Sequence, residues 1–172
     1  MANADRQRSA FMSFVNIWMA FNGWMESVTL ARTDAEMISA LAANERLIEA
    51  YDRLMGQLPY FSERVFSFAE MWPVLNVRDV RSKLGRDAFW RFSRDELLAE
   101  CRRNRVKSQP QSWKNNEHPS WEKLLRTIYL IRCNMFHGVK SPQNQRDREL
   151  ILHADRILRM FIEGTRCFEW RD

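Results

Sequence analysis

The stretch SWEKLLRTIYLIRCNMFHG, from Ser120 to Gly138, decides the fold. Leu124, Ile128, Ile131 and Met135 recur at i, i+4, i+7 and i+11, which lays one apolar stripe along an α-helix. Ser120 stands where an N-cap is needed, and Gly138 where a helix can end. A helix with such a stripe belongs to a core, so packing holds in place whatever its last turn carries.

The segments on either side read as helices too. After the Ser141 and Pro142 turn, Leu150, Ile151, Ala154, Ile157, Leu158, Phe161 and Ile162 mark a long final helix reaching toward Cys167. Upstream, Val106 to Pro119 is polar, holds two prolines, and reads as a surface loop around Trp113. Before it, Ser93 and Glu96 form a capping-box pattern that opens a helix through Leu97, Leu98 and Cys101 toward Arg105. Val74 to Phe92 reads as an irregular or partly helical connector carrying Arg78, Asp79, Arg81 and Lys83, and a short helix from Phe61 to Met71 precedes it, closed by Pro73.

Thr33 or Asp34 can cap a helix of roughly two dozen residues through Met37, Leu41, Ile48, Tyr51, Leu54 and Met55, ended by Gly56 and Pro59. From Arg6 to Met25, Phe14, Val15, Trp18, Phe21, Asn22 and Met25 keep helical spacing around most of the circumference, so this first helix is central and Asn22 needs an internal partner. The expected fold is an all-α bundle of about five helices, with the first, the Arg132 helix and the last at its centre. At 172 residues the chain suits one core, and it reads as a single domain over 1–172.

Composition narrows the function classes. Hydrophobic residues at 45% and charged residues at 28% are a globular balance, and five Gly with five Pro leave little to break helices. A net charge of +5, with Arg far outnumbering Lys, favours a polyanionic partner, because the planar guanidinium donates two hydrogen bonds to one phosphate. Cys101, Cys133 and Cys167 are few and widely spaced, which fits reduced thiols and a cytoplasmic location better than a disulfide framework. The N-terminal residues are polar and charged, and Ser13, Asn16 and Asn22 interrupt the apolar stretch that follows, so neither a signal peptide nor a membrane span is expected.

The chemistry-bearing pair is Arg132 and His137, at the C-terminal end of the Ser120–Gly138 helix. Ideal geometry separates them by about 140° around the axis. They share a site only if the last turn loosens before Gly138, or if two copies of the helix pool their side chains across a dimer. An imidazole takes or gives a proton near neutral pH, while a guanidinium is permanently cationic and can stabilise charge on a phosphorane-like transition state.

Arg, four residues, then His in a penultimate amphipathic helix just before Gly resembles the RxxxxH signature of HEPN domains (higher eukaryotes and prokaryotes nucleotide-binding). The Trp-containing apolar first helix, Phe14 to Phe21, and the closing amphipathic helix extend the likeness loosely over most of the chain. Cys133 follows the Arg where the family often has a polar residue, and Asn134 comes one place later.

The resemblance implies a metal-independent endoribonuclease that needs no cofactor. In such enzymes the RNA's own 2′-hydroxyl attacks the adjacent phosphorus and leaves a cyclic phosphate. It further implies RNA as partner, a homodimer through the motif helix, and a toxin or phage-defence role with an antitoxin or other partner protein. The alternative is a non-catalytic module binding RNA, a nucleotide or a protein. On this reading Arg132, His137 and Asn134 are the catalytic group, and Tyr129, Arg146 and Arg148 contact substrate.

Plainer explanations stand beside these. Arg132 and His137 also suit a helix C-terminus as cations near its last carbonyls. Cys133 and His137 share a helical face but lack the further ligands a metal needs, so no metal is expected. His153 reads as a structural histidine and His118 as a loop residue. The run Arg102, Arg103, Arg105 and Lys107, followed by Trp113 and Lys114, is either a phosphate track or a solvated helix end.

Overall fold

The computed structural model describes residues 2–114, 117–136 and 145–170, with side chains from residue 10 onward. Among these are nine α-helices and one two-stranded antiparallel ribbon, so the all-α expectation holds. The long helices α1 (Ala2–Thr29), α8 (Trp121–Phe136) and α9 (Gln145–Thr165) all contribute to the main core. Phe14, Trp18 and Phe21 of α1 are buried there with Leu124, Leu125, Ile128 and Ile131 of α8, and with Ala154, Ile157, Leu158 and Phe161 of α9.

A polar latch adds direction to the packing of α1 on α9. Ser13 donates its hydroxyl to Asp155 at 3.0 Å, and Arg159 reaches both Asp155 and the Ser13 carbonyl at 3.1 Å. Asp155 is buried, so this pairing answers the cost of placing a carboxylate inside.

The expected helix of two dozen residues is two helices, α2 (Asp34–Ala42) and α3 (Glu45–Gln57). The apolar period runs on across the break, but Asn44 leaves the helical conformation and accepts a hydrogen bond from Leu47 N–H, restarting the chain as an N-cap. α4 (Pro59–Ala69) begins on Pro59, whose fixed φ suits the first helical turn.

The connector after Pro73 is more ordered than expected. Val74–Leu75 (β1) pairs with Ser108–Gln109 (β2), and α5 (Val77–Leu84), α6 (Ala88–Arg91) and α7 (Arg94–Arg103) fold back between them. Leu75, Val80, Ala88, Leu97 and Cys101 form a second, small core under this excursion. The Ser93 and Glu96 capping box is present at the start of α7. None of the described helices is long and apolar enough to cross a membrane.

α8 is anchored at its N-terminal end. Trp121 lies against Phe161 with ring centroids 4.2 Å apart and donates its indole N–H to the Leu41 carbonyl at 2.9 Å. Tyr51, fully buried, donates to the Pro119 carbonyl at 2.6 Å just before the helix begins. These bonds fix the start of the helix and, because an α-helix is stiff, aim its far end.

Candidate functional site: the C-terminal half of α8

The last described turns of α8 project Arg126, Tyr129, Arg132 and Cys133 outward while Leu130, Ile131, Asn134 and Met135 are buried. Arg132 is half-buried. Its Nη2 lies 3.0 Å from Asp34 Oδ2, and its guanidinium carbon lies 4.9 Å from the Phe136 ring centre and 6.0 Å from that of Trp18. Aromatic faces favour a cation at the nearer distance, so Phe136 and Asp34 together hold the group at the surface.

Asp34 is available because of a local choice at the start of α2. Thr33 is the N-cap, accepting from Glu36 N–H, while Glu36 returns to Thr33 N–H at 3.0 Å. With the capping box complete, the Asp34 carboxylate is left over in the first turn and turns to Arg132.

Polar atoms near Arg132 are less well answered. Arg132 Nε, Trp18 Nε1 and Asn22 Oδ1 are buried without a hydrogen-bond partner among the described residues. Trp18 and Asn22 are one turn apart on α1, and Trp18 stacks on Tyr129 with centroids 6.1 Å apart. The internal partner expected for Asn22 is not found among the described residues.

Tyr129 shares a face of α8 with Cys133. Burial pushes its phenol pKa up to about 12, helped by the Cys133 thiol and the Asp34 carboxylate and opposed by Arg132. The hydroxyl therefore keeps its proton at neutral pH and can donate a hydrogen bond.

Beside these residues lies a cleft of about 370 Å³. α2 forms one wall with Ile38 and Ser39, the start of α5 and strand β2 form the opposite wall with Arg78, Lys107, Ser108 and Gln109, and α8 supplies Arg126, Tyr129 and Cys133. Among the described residues, three cations line it and no carboxylate does.

Asn134 has a different place from the one expected. It is buried, donates its amide to the Leu75 carbonyl at 2.9 Å, and accepts from Val77 N–H at 3.1 Å. One N–H and one lone pair of the amide are thus held by the backbone between β1 and α5, so in this geometry Asn134 positions the cleft wall that it also lines.

Arg146 does not line the cleft either; it donates to the Met71 carbonyl near the start of α9, and burial lowers its pKa. Arg94, donating to Pro73 at 2.7 Å, has its pKa lowered to about 10 by burial and by the positive charge of Arg146. Arg148 is half-buried on the same helix and is also absent from the cleft lining. His137 and Gly138 lie outside the described residues, so the distance between the Arg132 and His137 side chains is not part of this geometry.

Of the basic run at and after the end of α7, only Lys107 enters the cleft, while Arg102, Arg103 and Arg105 are exposed elsewhere. Trp113 meets Trp72 in a T-shaped contact with centroids 4.8 Å apart, and Lys123 Nζ lies 5.6 Å from its ring centre. His153 stacks on Phe68, burial together with Arg64 and Arg156 lowers its pKa, and its Nδ1 is buried without a hydrogen-bond partner among the described residues. Among the described residues, no three His, Cys, Asp or Glu side chains gather as a metal ion would need.

Sequence reasoning did not connect Asp34, Arg78 or Arg126 with Arg132. Arg126 had a readable signal, since it lies one or two turns before Tyr129 and Arg132 on the same helix. Comparison with the profiles of known protein families, with curated proteins and with solved structures found no match.

Proposed function

We propose that this chain is a HEPN-type domain that acts on RNA as a metal-independent endoribonuclease. The observation that carries the reading is Arg132, a half-buried guanidinium steadied by Asp34 and Phe136 on the last described turns of a core helix, beside a cleft lined by three further cations. Low-dielectric surroundings strengthen such a charge toward a phosphodiester, and the stiffness of α8 pre-orients it.

In the reaction, the ribose 2′-oxygen attacks the adjacent phosphorus while the P–O5′ bond breaks, leaving a 2′,3′-cyclic phosphate and a 5′-hydroxyl. Arg132 stabilises the added negative charge. His137 takes the 2′-hydroxyl proton or delivers one to the departing 5′-oxygen, and in a homodimer the second copy supplies the complementary proton transfer. An intracellular toxin or defence role, restrained by a partner protein, follows from the same reading.

The test is purified protein with mixed RNA and excess chelator, beside His137→Ala. The expected result is cyclic phosphate ends with chelator present and a loss of about 100-fold or more in the variant. An absence of cleavage, or cleavage unchanged in His137→Ala, overturns the nuclease.

A second reading is a non-catalytic RNA-binding module. It is favoured by the Asp34 carboxylate already on Arg132 and by the commitment of Asn134 to the backbone. RNA binding without cleavage selects it.

A further inference from the structure

The cleft has a chemistry of its own, separate from the Arg132 and His137 pair. Its cations come from three places in the chain: Arg78 from the start of α5, Lys107 from the turn before β2, and Arg126 from α8. Arg78 and Lys107 are exposed, and no ion pair to either side chain is found among the described residues. Arg126 spends its Nε on Glu122 at 2.9 Å.

The neighbouring carboxylates are already engaged. Asp79 accepts from Lys107 N–H at 2.6 Å and pairs with Lys83 at 3.2 Å, and Asp34 is held by Arg132. With Glu122 on Arg126 and Asp79 acting on Lys107, the cleft still presents three cations and, among the described residues, no carboxylate in its lining, and a concave site focuses that charge.

Behind the cations the lining changes character. Ile38 and Leu130 give an apolar wall, while Ser39, Ser108 and Gln109 offer groups that both donate and accept hydrogen bonds. A ligand fitting both zones has an anionic group at one end and a flat, partly apolar body with mixed donors and acceptors at the other. At about 370 Å³ the volume lies at the small end of ligand sites, enough for one such unit.

We propose that this cleft binds one nucleoside phosphate unit, its phosphate on Arg78, Lys107 and Arg126 and its base between α2 and β2. The proposal rests on the RNA reading for the context of that unit, a nucleotide of a strand whose neighbouring phosphodiester lies at Arg132. Cys133 and Arg132 are sequence neighbours, as are Ala35 and Asp34, so the cleft and the Arg132 ion pair adjoin.

Binding is measured on the full chain carrying His137→Ala, with chelator present, so that cleavage does not enter. The probes are inorganic phosphate, adenosine 5′-monophosphate and a short single-stranded RNA. Arg78→Ala with Lys107→Ala is expected to weaken RNA binding at least tenfold and to reduce the slope of log affinity against log salt by about 1.4. Ser39→Trp, at an exposed lining position, is expected to abolish binding by filling the space while leaving every cation in place. Arg102→Ala with Arg103→Ala, equal in charge but outside the cleft, is expected to change affinity less than twofold.

A local readout comes from Cys133, a half-buried lining thiol, because Cys101 and Cys167 are buried. Bound RNA is expected to slow alkylation of Cys133, and Ser39→Trp to remove that protection. Tight adenosine monophosphate binding with equal protection identifies a free nucleotide as the ligand. Protection by RNA alone identifies a strand.

Equal affinity in wild type and Ser39→Trp, equal weakening by the Arg102 and Arg103 pair, or protection by phosphate alone with no gain from the nucleoside, overturns the proposal. The two readings fail separately. RNA binding that depends on the cleft, without cleavage by wild type, removes the nuclease and keeps the site, whereas cleavage with cleft-independent binding does the reverse.

Discussion

The two halves of α8 differ in how their polar groups are answered. Near the N-terminal end, Trp121 N–H meets the Leu41 carbonyl, Tyr51 O–H meets the Pro119 carbonyl, and Thr127 O–H returns to the Lys123 carbonyl. Near the C-terminal end, Arg132 Nε and Trp18 Nε1 are buried without partners among the described residues, and Tyr129 and Cys133 open onto a cationic cleft. The first half is tied to its neighbours through hydrogen bonds to backbone carbonyls, whereas the second carries the ion-paired Arg132 guanidinium beside an open cleft.

The largest break in this contrast is Trp121→Ala. It removes a stacked, buried indole and its hydrogen bond, and should cost about 3–5 kcal/mol in urea unfolding. A loss below about 1 kcal/mol would mean that the helix is not anchored there.

Asn134→Ala comes next. It strands Leu75 C=O and Val77 N–H in the interior, at about 1–3 kcal/mol for each group left unpaired. It should also weaken RNA binding through the displaced Arg78 wall, with unfolding and filter binding read on the same preparation. Tyr51→Phe removes a single hydrogen bond and should cost about 1 kcal/mol, with RNA binding unchanged.

Asp34→Asn sharpens the contrast from the other side. The ion pair is partly exposed, so stability should move by less than about 1 kcal/mol, while RNA affinity rises several-fold as the Arg132 charge is released. A fall in affinity would show that the carboxylate is needed to aim the guanidinium.

The effect that vanishes at neutral pH is the pH dependence of Tyr129. Its folded pKa of about 12 lies above the ordinary value of 10.0. Its contribution is therefore fully present below about pH 10 and is lost as the pH rises through about 12. The unfolding free energies of wild type and Tyr129→Phe, compared across that window, should diverge only above about pH 10, with wild type losing stability.

The helices legible in the sequence are those with one strong local signal: the stripe of α8, the run from Leu150 to Ile162 in α9, and the Ser93 and Glu96 capping box of α7. The break at Asn44 is hidden because Leu41 and Ile48 keep the apolar period while the cap works through the Asn44 side chain, which periodicity does not record. α5 carries a local signal of its own. Asn76 accepts from Asp79 N–H, and Val77, Val80 and Leu84 keep helical spacing among the charges that suggested an irregular chain.

At the site, Arg132 and Tyr129 were legible as chemistry on one helix, but their surroundings were not. Lys107 reaches the cleft because β2 pairs with β1 across the whole α5–α7 excursion, and Asp34 reaches Arg132 because α2 packs on α8. Neither long-range approach leaves a mark in local spacing. The backbone bonds of Asn134 are hidden for the same reason, since a polar residue next to a motif looks like chemistry until its partners far along the chain are known.

That single carboxamide has a mechanical consequence. By gripping the chain on either side of Asn76, it ties the segment that carries Arg78 to the helix that carries Arg126, so two cations from distant parts of the chain share one point of attachment.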